Sequence, residues 1–241
     1  MTSDNRPCIG LIVPPAAGEV PEDARHLYGD RIRFIARGLG IGGVSPEGFK
    51  PVMHRIVDLA LELRDAGAQA ISMMGTSISF YRGAALTEEL RNTLQDATGL
   101  PCTTMSHAVV RSLKALGVQR VAVATSYIDE LNQRLVDYLT HEGLQVTAIQ
   151  GMGITGVREV GEVTPQALID LAQTVVSRDT SAQGVFISCG GLLTHDVIEP
   201  LEARLGLPAT ASSPAGFWDV MKVAGQDPRA EGFGRLFRLG T

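Results

Sequence analysis

Short apolar runs and amphipathic stretches alternate along the chain, a pattern that predicts parallel strands joined by helices. Segments 9–13, 70–74, 121–125, 146–149 and 185–188 are brief and rich in β-branched or apolar residues, as strands covered on both faces must be. Segments 52–66, 87–97, 106–116, 128–141, 165–177 and 196–205 carry helical spacing. Over 52–66, for example, Val52, Ile56, Leu59 and Leu63 fall on one face at steps of three and four. Thr164 followed by Pro165 is a sound helix start, with a hydroxyl to cap and a proline in the first turn.

The pattern occurs twice. TGLPCTTMS from Thr98 is echoed by LGLPATASS from Leu205, an offset of 107. QAISMMGTS from Gln69 aligns with QGVFISCGG from Gln183 at an offset of 114, and IGLIVPP from Ile9 with VAVATSY from Val121 at 112. Offsets that differ by a few residues fit two copies whose loops have changed length. The expected fold is therefore α/β, with two pseudo-symmetric halves, each a small parallel sheet flanked by helices. The halves are expected at 1–116 and 117–224, with 225–241 packing back on the first. Strand carboxyl ends are where such sheets bind ligands, so the active site is expected in the cleft between the halves. The duplication also makes Gly75 and Cys189 equivalent positions, facing each other across whatever binds there.

Composition narrows the classes of function. The chain has 241 residues, 44% apolar and 20% charged, and a formal charge of −5. No basic cluster suggests a nucleic-acid partner, and no long uncharged stretch suggests a membrane span. Cys8, Cys102 and Cys189 form neither a CxxC pair nor a disulfide framework, and the five histidines are scattered. The expectation is a reduced, cytoplasmic, metal-free protein, a monomer or small homo-oligomer, that acts on a small molecule.

Cys189 ends a strand and precedes Gly190 and Gly191, where the backbone can approach an anion closely. No charged residue lies between Val185 and Thr194 to force a thiolate. A thiol near its free pKa of about 8.5 is mostly protonated at neutral pH, which suits a proton donor better than a nucleophile. Gly75, Thr76 and Ser77 follow the second strand of the first half, and Tyr127 follows the first strand of the second. Their hydroxyls fit either a carboxylate cradle or, for Thr76 and Ser77, a helix cap. Pro14 and Pro15 end the first strand as a stiff apolar wall. His107, His195 and Trp218 read as structural. Gly38–Gly43 is glycine-rich, but no strand leads into it and Pro46 cuts off a helix after it, which argues against a dinucleotide loop.

At these residues the sequence resembles a known family. VPPAAG from Val13, GTSISFYRGAA from Gly75, SCGGLLT from Ser188 and SSPAGFWD from Ser212 are similar to the arylmalonate decarboxylases of the aspartate/glutamate racemase superfamily. The resemblance runs from about Ile9 to Phe237. It implies a cofactor-independent carboxy-lyase that converts α-aryl malonates to (R)-α-arylpropionates or arylacetates. Racemases of the superfamily carry a cysteine on each side of the substrate; the decarboxylases keep the second and have glycine at the first, as Gly75 and Cys189 do here. The resemblance further implies that Thr76, Ser77, Tyr127 and backbone N–H groups at Cys189 and Gly190 hold the retained carboxylate. Pro14, Pro15 and Gly191 would flank the aryl group, with Ser126 beside it where the family has alanine. Ile41, Val44, Phe49, Ile78, Val157 and Val160 would form an apolar pocket for the departing carboxylate. Other readings are a racemase or cis–trans isomerase of the same superfamily, or a non-catalytic carboxylate-binding protein.

Overall fold

The computed structural model describes residues 5–29 and 31–240. Strands β1 (Cys8–Val13), β2 (Arg33–Gly38), β3 (Ala70–Met73) and β4 (Cys102–Thr104) form one parallel sheet in the order β2-β1-β3-β4. Strands β5 (Arg120–Thr125), β6 (Gln145–Gly151), β7 (Gly184–Ser188) and β8 (Ala209–Ala211) repeat the same order, β6-β5-β7-β8, all parallel. The three sequence echoes fall on β1/β5, β3/β7 and β4/β8, so the internal repeat is a repeat of architecture.

In the first half the helices are α1 (Asp23–Tyr28), α2 (Pro46–Phe49), α3 (Ile56–Asp65), α4 (Thr76–Phe80), α5 (Ala84–Thr98) and α6 (Met105–Ala115). In the second they are α7 (Asp129–His141), α8 (Val157–Gly161), α9 (Pro165–Arg178), α10 (Ile198–Leu205) and α11 (Ser212–Val223). The helix predicted over 52–66 begins instead as a 3-10 turn, Lys50–Arg55, with Pro51 in its first turn, and becomes α-helical only at Ile56. Pro51 lacks an N–H and favours that start. Thr164 caps α9 as expected, accepting from the Ala167 N–H. No helix among the described residues is long and apolar enough to cross a membrane.

Two contacts fix the halves against each other. Helices α6 and α11, each leaving the last strand of its sheet, pack together. Phe217, Trp218, Val220 and Met221 of α11 join the apolar cluster that also holds Ile9, Leu11 and Val13 of β1 and Phe233, Leu236 and Phe237 of the C-terminal segment. On the other side α4 meets α7, where Phe80 rests against Tyr127 and Tyr138 at ring separations of 6.0 and 6.2 Å and Arg134 donates to the Tyr81 carbonyl at 2.8 Å. Cys8 and Cys102 open β1 and β4, at the opposite edge of the sheet from the carboxyl ends that face the second half.

Candidate active site

A cavity of about 370 Å³ lies at the carboxyl ends of the central strands, within the range that takes a small organic ligand. Pro14 and Pro15 extend from β1, Gly75 from β3 and Cys189 from β7, so both halves contribute wall. Gly75 and Cys189 both line the cavity.

Around Cys189 the chain is held in an unusual state. Its φ of 149° lies where side-chain-bearing residues seldom go, and it is the sole non-glycine with positive φ among the described residues. Such strain persists only where surrounding contacts over-determine it, and it clusters at functional sites. Burial pushes the thiol pKa up, while the Ser126 hydroxyl, the Gly191 N–H and the Tyr127 phenol pull the other way. A raised pKa keeps the proton on sulfur at neutral pH. Packing at Gly190 is close: a Cβ there would stand 3.0 Å from Met105 Sδ, and the methionine would have to give way.

The hydroxyl cluster is assembled from both halves. Thr76 and Ser77 start α4 and line the cavity, and neither caps it; the N-cap is Gly75, which makes no side-chain cap hydrogen bond. The Thr76 hydroxyl instead reaches Ser212 Oγ at 2.7 Å and Met105 Sδ at 2.9 Å. Tyr127 is buried, with Ser188 donating to its oxygen at 3.3 Å. Burial raises the Tyr127 pKa well above the ordinary value and the neighbouring Cys189 adds to this, against the hydroxyls of Ser188, Ser77 and Thr76. The phenol therefore stays a neutral donor.

Fourteen of the residues singled out in the sequence line this cavity: Pro14, Pro15, Ile41, Val44, Phe49, Gly75, Thr76, Ser77, Ile78, Val157, Val160, Cys189, Gly190 and Gly191. Tyr127 and Ser126 stand behind the wall, Tyr127 beside Ser77 and Thr76, and Ser126 beside the Cys189 thiol. One expectation changes. The Cys189 N–H donates to Ser212 Oγ at 3.1 Å, so it is already engaged inside the protein. The Gly190 N–H has no protein acceptor among the described residues.

Ile41, Val44, Phe49, Ile78, Val157 and Val160 make one lobe without a polar side chain, closed where the Val44 N–H donates across the halves to the Thr155 carbonyl at 2.8 Å. The other end of the cavity opens between Val20 and Leu193, the exposed large apolar residues of the described chain, with Glu19 and Glu22 on the rim. No lysine, arginine or histidine lines the cavity among the described residues. His107 pairs with Glu88 and Thr104, away from this wall, and Trp218 is in the core.

Met74, Met105, Asp23, Ser212 and Ser213 belong to the site without standing out in the sequence as site residues, although the two serines open the SSPAGFWD motif. The repeat held the signal for the two serines, because Ser212 and Ser213 occupy the second-half places of Met105 and Ser106.

Residues 9–237 match the family model described as arylmalonate decarboxylase. The chain belongs to the arylmalonate decarboxylase family. Membership makes it a decarboxylase. It is 50% identical to arylmalonate decarboxylase of Bordetella bronchiseptica over 98% of this chain and 99% of the relative. The structure of a glycine-to-cysteine, cysteine-to-serine double variant of arylmalonate decarboxylase in liganded form superposes with a TM-score of 0.94 at 50% identity, covering 96% of this chain and 98% of that one. Maleate isomerase of Pseudomonas putida S16 shares the fold at a TM-score of 0.88 and 23% identity, covering 97% and 98%.

Proposed function

We propose that this decarboxylase removes one carboxylate from α-aryl malonates through an enediolate that Cys189 protonates from one face. The reading is supported by Cys189 being the one thiol that lines the cavity among the described residues, in a wall that also holds Gly75, the apolar side chains and the hydroxyls of Thr76 and Ser77. In this reading the departing carboxylate enters the lobe of Ile41, Val44, Phe49, Ile78, Val157 and Val160, which offers it no side-chain donor. Departure as neutral CO₂ relieves the lost hydration. The bonding pair passes into the remaining carboxylate, giving an enediolate conjugated with the aryl ring.

The hydroxyls of Thr76, Ser77 and Tyr127 and the Gly190 N–H stabilise the two oxygens as charge develops, each by about 3 kcal/mol where geometry is good. Ser212, bonded to both Thr76 and the Cys189 backbone, positions donor and acid together. Cys189 then forms the new Cα–H bond and is left as a thiolate, which solvent reprotonates. Pro14, Pro15 and Gly191 flank the ring, and this chemistry needs no cofactor. With no thiol at Gly75 the product is a single enantiomer, which the family resemblance makes (R).

A racemase or isomerase acting through facing thiols would need a second sulfur where Gly75 stands, and Cys8 and Cys102 open strands at the far edge of the sheet. The test is α-methyl-α-phenylmalonate in D₂O without added cofactor, followed by NMR and chiral chromatography. Release of CO₂ with one α-deuterated enantiomer is the expected result. Binding without turnover would overturn the reading in favour of a carboxylate-binding protein.

The rim adds a second expectation. A dianionic substrate meets Glu19 and Glu22, and no lining cation, on a chain of net charge −5; Arg25 offsets Glu22 in part through an exposed contact of 3.7 Å. Raising ionic strength from about 0.01 to 0.15 M shortens the screening length from about 30 to 8 Å. Initial rates should then show kcat/KM rising a few-fold with kcat unchanged, and the rise should be blunted in a Glu19→Gln/Glu22→Gln variant.

A further inference from the structure

Behind the open end of the cavity a carboxyl oxygen and an imidazole nitrogen are both buried without a partner. Asp23 opens α1 and is 5% exposed. Its Oδ2 accepts from Ser213 Oγ on α11, while Oδ1 is buried and has no hydrogen-bond partner. His195 follows Leu193 by two residues, in the loop that runs from Cys189 to α10. Its ring lies against that of His26, one turn beyond Asp23 on α1, with 5.2 Å between centroids, and its charge bears on Asp23. His195 Nε2 faces the Asp196 carboxylate at 3.0 Å, whereas Nδ1 is buried and has no partner. The decarboxylation uses none of these groups, and buried polar atoms are rarely left unpaired, because they have lost water and gained nothing in return.

Proton counting ties the two atoms together. A carboxylate only accepts, so Nε2 of His195 carries a hydrogen toward Asp196. Nδ1 is then a bare acceptor in the neutral ring and an N–H donor in the cation. Asp23 Oδ1 is likewise an acceptor in the carboxylate and a donor in the acid. One proton between them satisfies both atoms, whichever carries it; none leaves two lone pairs, and two leave two donors. We propose that Asp23 and His195 share one proton between Oδ1 and Nδ1, directly or through a single bridging water, and so latch the β7–α10 loop onto α1 behind the mouth of the cavity. The latch joins the halves where the mouth is made, since Val20, Pro21 and Glu22 come from the first and Leu192 and Leu193 from the second. The same loop carries Gly190 and Gly191 of the cavity wall. Burial raises the Asp23 pKa and Glu22 adds to this, whereas Ser213, His195 and His26 oppose it. The cluster is not arranged around a metal, because no three His, Cys, Asp or Glu side chains among the described residues could hold one ion.

Asparagine and glutamine separate the two ring nitrogens, because the asparagine amide nitrogen falls near Nδ1 and that of glutamine near Nε2. His195→Asn therefore keeps a donor toward Asp23, and His195→Gln keeps only the contact with Asp196. A loosened mouth lowers the fraction of molecules ready to bind, which raises KM and leaves the bound complex unchanged. Initial rates on phenylmalonate should show His195→Gln raising KM about tenfold with kcat within about twofold, and His195→Asn within about threefold of the wild type in both. The proton itself is read by nitrogen NMR of the histidine rings, with His195 assigned by the signal lost in His195→Asn. At neutral pH the wild-type Nε2 should be protonated and Nδ1 displaced from the position of a free neutral acceptor, and Asp23→Ala should return it there. A wild-type Nδ1 already at that position, or one that Asp23→Ala leaves unmoved, overturns the assignment, as does an equal KM in the asparagine and glutamine variants; the wild-type spectrum decides even where Asp23→Ala does not fold. Failure of phenylmalonate turnover would instead count against the decarboxylase reading, since the spectrum needs no substrate.

Discussion

Cys189→Ala should lose about three orders of magnitude in kcat while binding phenylacetate within a few-fold of the wild type. A positioned general acid contributes typically 10²- to 10⁴-fold, and alanine removes the proton without altering the hydroxyl cluster around Thr76, Ser77 and Tyr127. Cys189→Ser should fall between, since an alcohol is a far weaker acid than a thiol. The pH profile of the wild type is set by the same group. The working form is the protonated thiol, and burial raises its pKa, so activity should hold through neutrality and fall only at pH above the ordinary thiol value of about 8.5. A decline already complete at pH 7 would mean that the thiolate is inactive and abundant, contrary to the buried setting. The backbone provides a check independent of chemistry. At a φ of 149° glycine escapes strain that costs side-chain-bearing residues about 1–3 kcal/mol, so Cys189→Gly should melt at a higher temperature than Cys189→Ala. Equal melting temperatures would mean that the surrounding contacts, rather than the missing Cβ, set the stability of this turn.

What the sequence disclosed divides along physical lines. The central strands β1, β3, β5 and β7 are covered on both faces, and continuous apolar runs announce them. β2 escaped notice because it is a half-buried edge strand with Arg33 and Arg37 in it, Arg37 pairing with Glu62 at 2.9 Å. β4 and β8 are three-residue strands rich in threonine and alanine, too short for a period to register. α11 was invisible for the opposite reason: Ser212 to Met221 are all buried, so no polar face alternates with an apolar one, and Ser-Ser-Pro-Ala-Gly is a poor helical opening. In the site, Cys189 and the hydroxyls were legible as chemistry at strand ends. The apolar lobe was not, because Ile41, Val44, Ile78 and Val160 look like any core residues until the fold brings separate segments together; the family resemblance supplied them. Asp23 is the first residue of a six-residue helix, too short for a period to register, where a lone aspartate carries no pattern.

Gly75→Cys should convert a one-faced proton donor into a two-faced exchanger, and its cost should be steric rather than conformational. Gly75 has φ −142° and ψ 104°, extended backbone open to any residue, so a side chain meets no dihedral penalty. An added Cβ would stand 2.5 Å from Ile78 Cγ2 and 3.3 Å from both Met73 Cε and Pro14 Cγ. Ile78 must therefore shift, and overpacking of this kind costs typically 1–3 kcal/mol. Ile78 also lines the lobe assigned to the departing carboxylate, so the variant should decarboxylate more slowly than the wild type, by about tenfold. What it gains is a second thiol facing the first across the α-carbon. An enantiopure α-arylpropionate, untouched in configuration by the wild type, should racemise in the variant and take up deuterium from D₂O as it does so. Gly75→Cys/Ile78→Ala removes the clashing methyl and should recover stability while keeping the racemase activity. Retention of configuration in both folded variants would refute the facing-thiols geometry, and with it the claim that the internal repeat places positions 75 and 189 on opposite sides of one ligand.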